Sequence, residues 1–234
     1  TGMDNVDLNA AHARKIQVKN VSGYSTISVA QHTFSLLLEL TNQVARHSQS
    51  VKDGEWDQDK GFCYTLKPIP ELSELTLAVI GYGQIGRAVA KLGKAFGMDI
   101  MVVSEHSQSL SEYELVSLED AFQSADVISL HWPLTNERKG IINKDLLTLM
   151  KPGSFLINTA RGGLINETDL HQALKSYKIG GAALDVLSEE PPATFTALMQ
   201  LDNCIFTPHM AWASHKSRKI LLESVFQYPQ NNFL

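Results

Sequence analysis

Short apolar runs alternate with segments of helical periodicity along most of the chain. Leu77-Ala78-Val79-Ile80 is apolar on both faces, the pattern of a strand buried on both sides of a parallel sheet. Ile85, Val89, Leu92 and Phe96 then fall on one face of a helix that Gly97 is placed to stop, at a small cost from Gly93. Asp99–Val103 reads as the next strand. The alternation continues with a helix over Leu118–Ser124, a strand over Asp126–Leu130, and a helix over Asn143–Met150. The strand Ser154–Asn158, the helix Glu167–Ser176 and the strand Gly180–Leu184 follow. A short helix over Thr194–Gln200 and a last strand, Cys204–Phe206, complete it. Such alternation predicts an α/β fold with a Rossmann-type, doubly wound parallel sheet. Before it, the pattern gives a short helix near Asp7–Arg14, a strand near Ile16–Val18, a loop over Asn20–Ser25, and one helix over Thr26–Ser48. That helix is apolar around much of its girth, so it is expected to be buried between domains or subunits. Asp53–Pro70 is irregular. Ser214–Phe226 reads as a helix that Tyr228-Pro229 interrupts.

The first strand stops at Gly81-Tyr82-Gly83-Gln84-Ile85-Gly86, which fits G-x-G-x-x-G between a strand and a helix. Gly81 suits the tight turn, Gly83 lets a pyrophosphate approach the backbone, and Gly86 allows close helix–strand packing. The helix N-terminus offers unpaired N–H groups and the positive end of a dipole. In this strand–turn–helix–strand setting the motif predicts a dinucleotide site; a glycine turn without a ligand is the alternative.

Composition narrows the class. The chain has 234 residues, 44% hydrophobic and 19% charged, with a net charge of -5. That is a soluble globular composition with no general attraction to nucleic acid or an anionic membrane surface. No apolar run reaches spanning length, and no signal peptide is visible. Cys63 and Cys204 lack metal-type spacing, so no metal site is expected, and two thiols in a reducing cytoplasm is the simple reading. Thr1 is not an initiator, so the chain reads as starting inside a longer unit.

Three polar residues follow predicted strands: Arg161 in NTARGGLINE, Glu190 in DVLSEEPP and His209 in TPHMAWAS. Ligands of open α/β sheets bind at the carboxyl ends of strands. An arginine can hold a carboxylate in a fork. A histidine can pass a proton near neutral pH, and a neighbouring carboxylate can orient it and favour its charged form. Singly, each has an ordinary alternative: a capping arginine, a solvated loop acid, a hydrogen-bonded loop histidine. Together, beside a nucleotide motif, they predict an active site.

The segments TGMDNVDLNAA, NVSGYSTISVAQHTFSLLL, GYGQIGRAVAKLGKAFGMDI, LHWPLT, NTARGGLINETDL, GAALDV with EEPP, and TPHMAWAS span nearly the whole chain. In that order the chain resembles the D-isomer-specific 2-hydroxyacid dehydrogenases, most of all their glycerate dehydrogenase (hydroxypyruvate reductase) branch. The resemblance implies Arg161 as binder of the substrate carboxylate and carbonyl, His209 as acid/base, and Glu190 as its partner. Glu190 is chosen over Glu189 because the family acid directly precedes the proline. Thr1 and Gly2 fall on the substrate loop. Val29 is implied beside the nicotinamide, Gln84 and Ile85 at the pyrophosphate, and Trp132, Pro133 and Leu134 around the adenine and ribose. Core packing is the alternative for Trp132 and Leu134. Thr159, Ala160 and Asp185 are implied near the carboxamide. The resemblance further implies a homodimer through the cofactor domain and a small 2-keto or 2-hydroxy acid as partner; the cytoplasmic location rests on the two thiols.

There are two departures. NAD-preferring members carry an Asp at the end of the second strand; here that position is Ser104, followed by Glu105. Glu105 can take over the ribose contact and would repel a 2′-phosphate, and no Arg adjoins Ser104 in sequence. NAD is therefore expected, with NADP as the alternative. The flavodoxin-like substrate domain of the family is also mostly missing. Residues 1–20 and 213–234 are expected to be its remnants, flanking a cofactor domain over 21–212. The expected reaction is reduction of hydroxypyruvate or glyoxylate to D-glycerate or glycolate. A formate dehydrogenase is disfavoured, because that branch pairs its His with Gln. A non-enzymatic, NAD-sensing corepressor-like protein and an inactive fragment are the competing readings.

Overall fold

The computed structural model describes residues 2–3, 6–105 and 112–227. Its centre is a seven-stranded, wholly parallel sheet in the order β3-β2-β1-β4-β5-β6-β7. The strands are β1 (Thr76–Ile80), β2 (Asp99–Val103), β3 (Glu114–Leu115), β4 (Val127–Leu130), β5 (Phe155–Asn158), β6 (Gly181–Leu184) and β7 (Cys204–Phe206). The chain winds outward from β1 to β3, then crosses back to β4 and winds the other way. The switch point therefore lies between β1 and β4, where ligands of doubly wound sheets bind.

Each strand residue sends its side chain to the face opposite its neighbour's. Leu77 and Val79 join one core with Val127, Ile157 and Ala183. Ala78 and Ile80 join the other with Ile128, Leu130, Leu156 and Leu184. The first core is closed by α2 (Thr26–Asn42) and α4 (Gln84–Ala95). The second is closed by α5 (Leu118–Ser124), α6 (Lys144–Leu149) and α7 (Glu167–Lys175). This two-sided burial is why the strands read as unbroken apolar runs. Side chains cap three of these helices: Ser117 on α5, Asn143 on α6 and Asn166 on α7. Gly93 admits the sheet: a Cβ there would lie 2.7 Å from Ile100 Cδ1 and 2.9 Å from Leu77 Cδ2.

Four sequence expectations need correction. Residues 16–18 form no strand, and Ile16 is exposed, because no neighbouring strand pairs with them. The long helix is two: α2 ends at Gln43, whose φ of 50° places it in the left-handed region, and α3 (Val44–Lys52) follows. Thr194–Gln200 forms only a 3₁₀ turn at Leu198–Gln200. The edge strand β3 was not anticipated; both its residues are exposed, so it carries no apolar signal. Phe96 also leaves the buried face of α4. It is half-exposed and stacks on Phe34, with ring centroids 5.2 Å apart. The helix α1 (Leu8–Ala13) forms with Asp7 as its cap, and α8 (His215–Phe226) ends the described chain. The interruption at Tyr228-Pro229 lies outside the described residues.

Candidate active site

The turn after β1 is built from backbone contacts. Gly81 has φ 103°, and a Cβ on it would lie 2.8 Å from Trp132 Cδ1 and 2.9 Å from the His131 carbonyl carbon. A Cβ on Gly86 would lie 2.0 Å from the Gly81 carbonyl oxygen, so only glycine lets α4 seat this close. Gly83, the N-cap of α4, faces open space. The first turn of α4 presents N–H groups that helix geometry leaves without an intrahelical partner. An open glycine ahead of such amides fits a dinucleotide pyrophosphate. Ile85 lines the adjoining cleft, while the Gln84 side chain turns toward α2, its Oε1 accepting from Thr26 Oγ1 at 3.3 Å.

A cleft of about 1050 Å³ runs from this turn across the carboxyl ends of β4, β5, β6 and β7. It brings together Gly2, Val29, Ile85, Trp132, Pro133, Leu134, Thr159, Ala160, Arg161, Asp185 and His209. A contiguous cavity adds Glu190, sharing Gly2, Leu134, Arg161 and His209. Thr1 lies outside the described residues. Ser104 and Glu105 do not line the cleft.

His209 and Glu190 meet closely. The His209 Nδ1–H donates to Glu190 Oε2 at 2.6 Å, and Glu190 Oε1 accepts the Leu187 N–H at 2.8 Å. Glu190, not Glu189, is therefore the partner. His209 has φ 49°, uncommon for a residue with a side chain and concentrated at functional sites. Its N–H holds that conformation, pointing at the Asp185 and Thr207 carbonyl oxygens at 2.8 and 2.9 Å.

Arg161 sits on a turn clamped by a residue that the sequence reading passed over. The buried Asn158, at the end of β5, accepts the Ala160 N–H at 3.0 Å and donates to the Arg161 carbonyl oxygen at 2.8 Å. A polar side chain closing an otherwise apolar strand was the available signal. The next residue, Gly162, packs the two loops together: a Cβ there would lie 1.9 Å from the Leu187 carbonyl carbon. The Arg161 and Glu190 loops are thus fixed against each other.

Asp185 is a junction as well as a wall of the cleft. Its Oδ1 accepts from Thr207 Oγ1 at 2.6 Å and from the Met210 N–H at 2.9 Å; its Oδ2 accepts the Ala211 N–H at 2.9 Å. His32 on α2 donates to Thr207 Oγ1 at 3.0 Å and stands 3.4 Å from Oδ1. Burial would raise the pKa of this carboxyl, but the bonds from His32, Thr207, Ala211 and Met210 outweigh it and leave it below the ordinary value. A carboxylate has about four acceptor positions, so Oδ2 keeps capacity for a ligand amide. α2 also reaches Thr159 through Thr33, 3.2 Å between hydroxyls, and the Ala211 carbonyl oxygen through Ser28 at 2.6 Å. His32 and Thr33 lie on the face that reads as core, so their polar role was hidden.

Tyr24 and Trp212 form an edge-on aromatic pair in the cleft, 6.4 Å between centroids. Burial raises the Tyr24 pKa, with the Arg161 charge opposing it. At the other end, the expectation that no arginine adjoins the Ser104 position holds along the chain only. Arg138, from the loop after β4, pairs with Glu105.

The comparisons agree with this geometry. Residues 34–211 match the family model "D-isomer specific 2-hydroxyacid dehydrogenase, NAD binding domain". The chain is 40% identical over 226 residues to a hydroxypyruvate reductase of Blautia hydrogenotrophica, covering 95% of this chain and 70% of that protein. It is 41% identical over 227 residues to a glycerate dehydrogenase of Methylorubrum extorquens, covering 96% and 71%. The structure of the Aquifex aeolicus D-lactate dehydrogenase complexed with NAD and lactic acid superposes with a TM-score of 0.82 at 35% identity, covering 96% and 71%. A matched family model over most of the chain, close relatives and a shared doubly wound sheet lead to one conclusion: the chain belongs to the NAD(P)-dependent D-isomer-specific 2-hydroxyacid dehydrogenases.

Proposed function

We propose that the cleft reduces small 2-keto acids, hydroxypyruvate or glyoxylate, to D-glycerate or glycolate. The observation that carries this reading is the Glu190–His209 pair in a cavity shared with Arg161, beside the dinucleotide turn. A reduced dinucleotide held at the glycine turn would supply the hydride. The Arg161 guanidinium holds the substrate carboxylate and polarises the carbonyl through its planar donors. With Nδ1 engaged by Glu190, the proton on His209 Nε2 passes to the carbonyl oxygen as that oxygen gains charge. In the reverse direction Nε2 accepts it. Such acid–base catalysis contributes roughly 10²–10⁴-fold. Asn158, Asp185 and α2 hold these groups in place. The Tyr24–Trp212 pair beside Arg161 favours a short substrate side chain. The names of the Blautia and Methylorubrum relatives support the same substrate class.

The test is nicotinamide oxidation with hydroxypyruvate, glyoxylate and the branched 2-ketoisocaproate. The two small acids should be preferred. Preference for the branched acid would overturn the substrate assignment.

We further infer that residues 1–20 and 213–234 belong with a substrate-binding unit and 21–212 form the cofactor domain. Gly2, Met3 and Leu8, which line the cleft, support this. A homodimer through the cofactor domain is supported by exposed apolar side chains on α3 and the loop beyond it: Val44, Val51, Trp56, Phe62 and Ile69. Light scattering that gave only monomer mass at micromolar concentration would count against it. The exposed thiol of Cys63 favours a reducing, cytoplasmic compartment.

A further inference from the structure

The end of β2 and the loop after β4 lie on the two flanks of β1, and the Trp132 ring, which crowds Gly81, carries Arg138 on its face. Glu105 and Arg138 are in contact: Arg138 Nη2 is 2.5 Å from Glu105 Oε2. The two partners are not equally fixed. The Arg138 guanidinium lies 4.8 Å above the centre of the Trp132 ring, its Nη1 points at the Pro133 carbonyl oxygen at 3.4 Å, and its side chain is 15% exposed. The Glu105 side chain is 54% exposed and projects from the strand end into solvent. Arg138 is held by the protein, and Glu105 is the more exposed partner.

In doubly wound sheets the adenosine ribose lies at the end of the second strand. An acid there reads a 2′-hydroxyl, and an arginine accepts a 2′-phosphate. This chain places both groups at that point, each occupying the other. We propose that Arg138 is the receptor for a ribose 2′-phosphate and that the Glu105 carboxylate is its internal stand-in. NADP(H) binds by displacing Glu105 from the guanidinium. NAD(H) binds with the pair intact, its ribose hydroxyls on the other Glu105 oxygen. The inference rests on the reading of the glycine turn as a dinucleotide site.

The exchange is inexpensive. An ion pair with one half-exposed member is weak, and a phosphate offers the guanidinium more charge and a fork geometry. The repulsion of a 2′-phosphate expected from Glu105 alone is thereby largely neutralised. The two cofactors should bind within about tenfold of each other.

The experiment is equilibrium titration of the wild type, R138M and E105Q with NADH, NADPH and 2′,5′-ADP, which occupies only the adenosine end. Methionine keeps an apolar stem over Trp132. R138M should weaken NADPH and 2′,5′-ADP by about 10–100-fold, the range for a lost charge-assisted bond, and leave NADH within about threefold. E105Q should tighten NADPH and 2′,5′-ADP by about 2–5-fold and weaken NADH. An R138M protein whose NADPH/NADH affinity ratio matches the wild type overturns the assignment and leaves the dinucleotide site standing. Wild-type protein that binds none of the three ligands removes both. Should R138M fail to fold, E105Q decides alone: an unchanged ratio refutes the proposal.

Discussion

Glu190 Oε2 lies 2.6 Å from His209 Nδ1, while its second oxygen holds the Leu187 N–H of its own loop. The carboxylate is therefore anchored before it orients the imidazole. A neutral amide at the same place cannot offer an acceptor of equal strength to Nδ1–H, nor a charge to an imidazolium. Glu190→Gln should lower kcat for hydroxypyruvate reduction by roughly 10²-fold, within the span of acid–base effects. KM should change little, because the carboxylate contact proposed for Arg161 is left in place. Glu189→Gln is the matched control and should stay close to wild type. Equal losses in both variants would show that the loop's charge, not this pair, matters.

Asp185 accepts three hydrogen bonds, from the Thr207 hydroxyl and the Met210 and Ala211 N–H groups, and His32 stands 3.4 Å from its Oδ1. Asp185→Asn weakens every one of these bonds and turns an amide N–H₂ toward donors. Unfolding in urea should reveal a loss of about 1–3 kcal/mol, the cost of unsatisfied buried partners. Because the Asp185 carboxyl sits below its ordinary pKa, the stability it contributes is present above the normal carboxylate range and disappears as pH falls through the folded value. The asparagine variant should therefore be nearer to wild-type stability at pH 3 than at pH 7. An equal gap at both values would contradict that role.

His131 lines the cleft, partly exposed, and loss of hydration there lowers its pKa to about 3. Its Nε2 meets Ser129 Oγ at 2.8 Å. The folded state holds it neutral, whereas the unfolded chain protonates it below about pH 6.5. Stability from this group is complete above that pH and falls as pH drops toward 3, by up to about 1.4 kcal/mol per pH unit. His131→Asn should flatten the decline of melting temperature between pH 6.5 and 4, even if it melts lower at pH 7.5. A decline as steep as that of the wild type would mean that other groups govern acid sensitivity.

The turn glycines should separate binding from folding. Gly83 has open space where a Cβ would stand and φ of -79°, so Gly83→Ala should change stability by within about 0.5 kcal/mol. The added methyl enters the open space proposed for the pyrophosphate, so NADH should bind at least about tenfold more weakly, about 1.4 kcal/mol. Gly86→Ala drives its Cβ onto the Gly81 carbonyl oxygen at 2.0 Å and should cost about 3 kcal/mol or more in stability. Paired melting and NADH titration curves check both. A stable Gly86→Ala protein with unchanged affinity would be inconsistent with the packing described.

Local pattern was enough to find the fold and most of the candidate site. The runs at Leu77–Ile80 and Phe155–Ile157 are apolar on both faces because helices cover both sides of a parallel sheet, and that burial is written into consecutive residues. The glycine turn is legible for a similar reason, since its glycines fall within six neighbouring positions, although Trp132 and the His131 carbonyl also crowd Gly81. Arg161 and His209 follow strand ends, and a parallel sheet delivers all its strand ends to one edge. Other features depend on partners that lie far away in sequence. The helical pattern runs through Gln43, and the break shows only in the left-handed backbone at that residue. Ile16–Val18 has strand-like residues but no strand beside it, and Glu114–Leu115 becomes a strand because β2 offers an edge. The choice of Glu190 over Glu189 was made by resemblance; the pairing itself is set by where the β7 loop brings His209. The His32–Thr207–Asp185 junction and the Arg138–Glu105 pair were invisible for the same physical reason. A side chain's periodicity reports its own element, whereas its hydrogen-bond partner is decided by how separate elements are stacked.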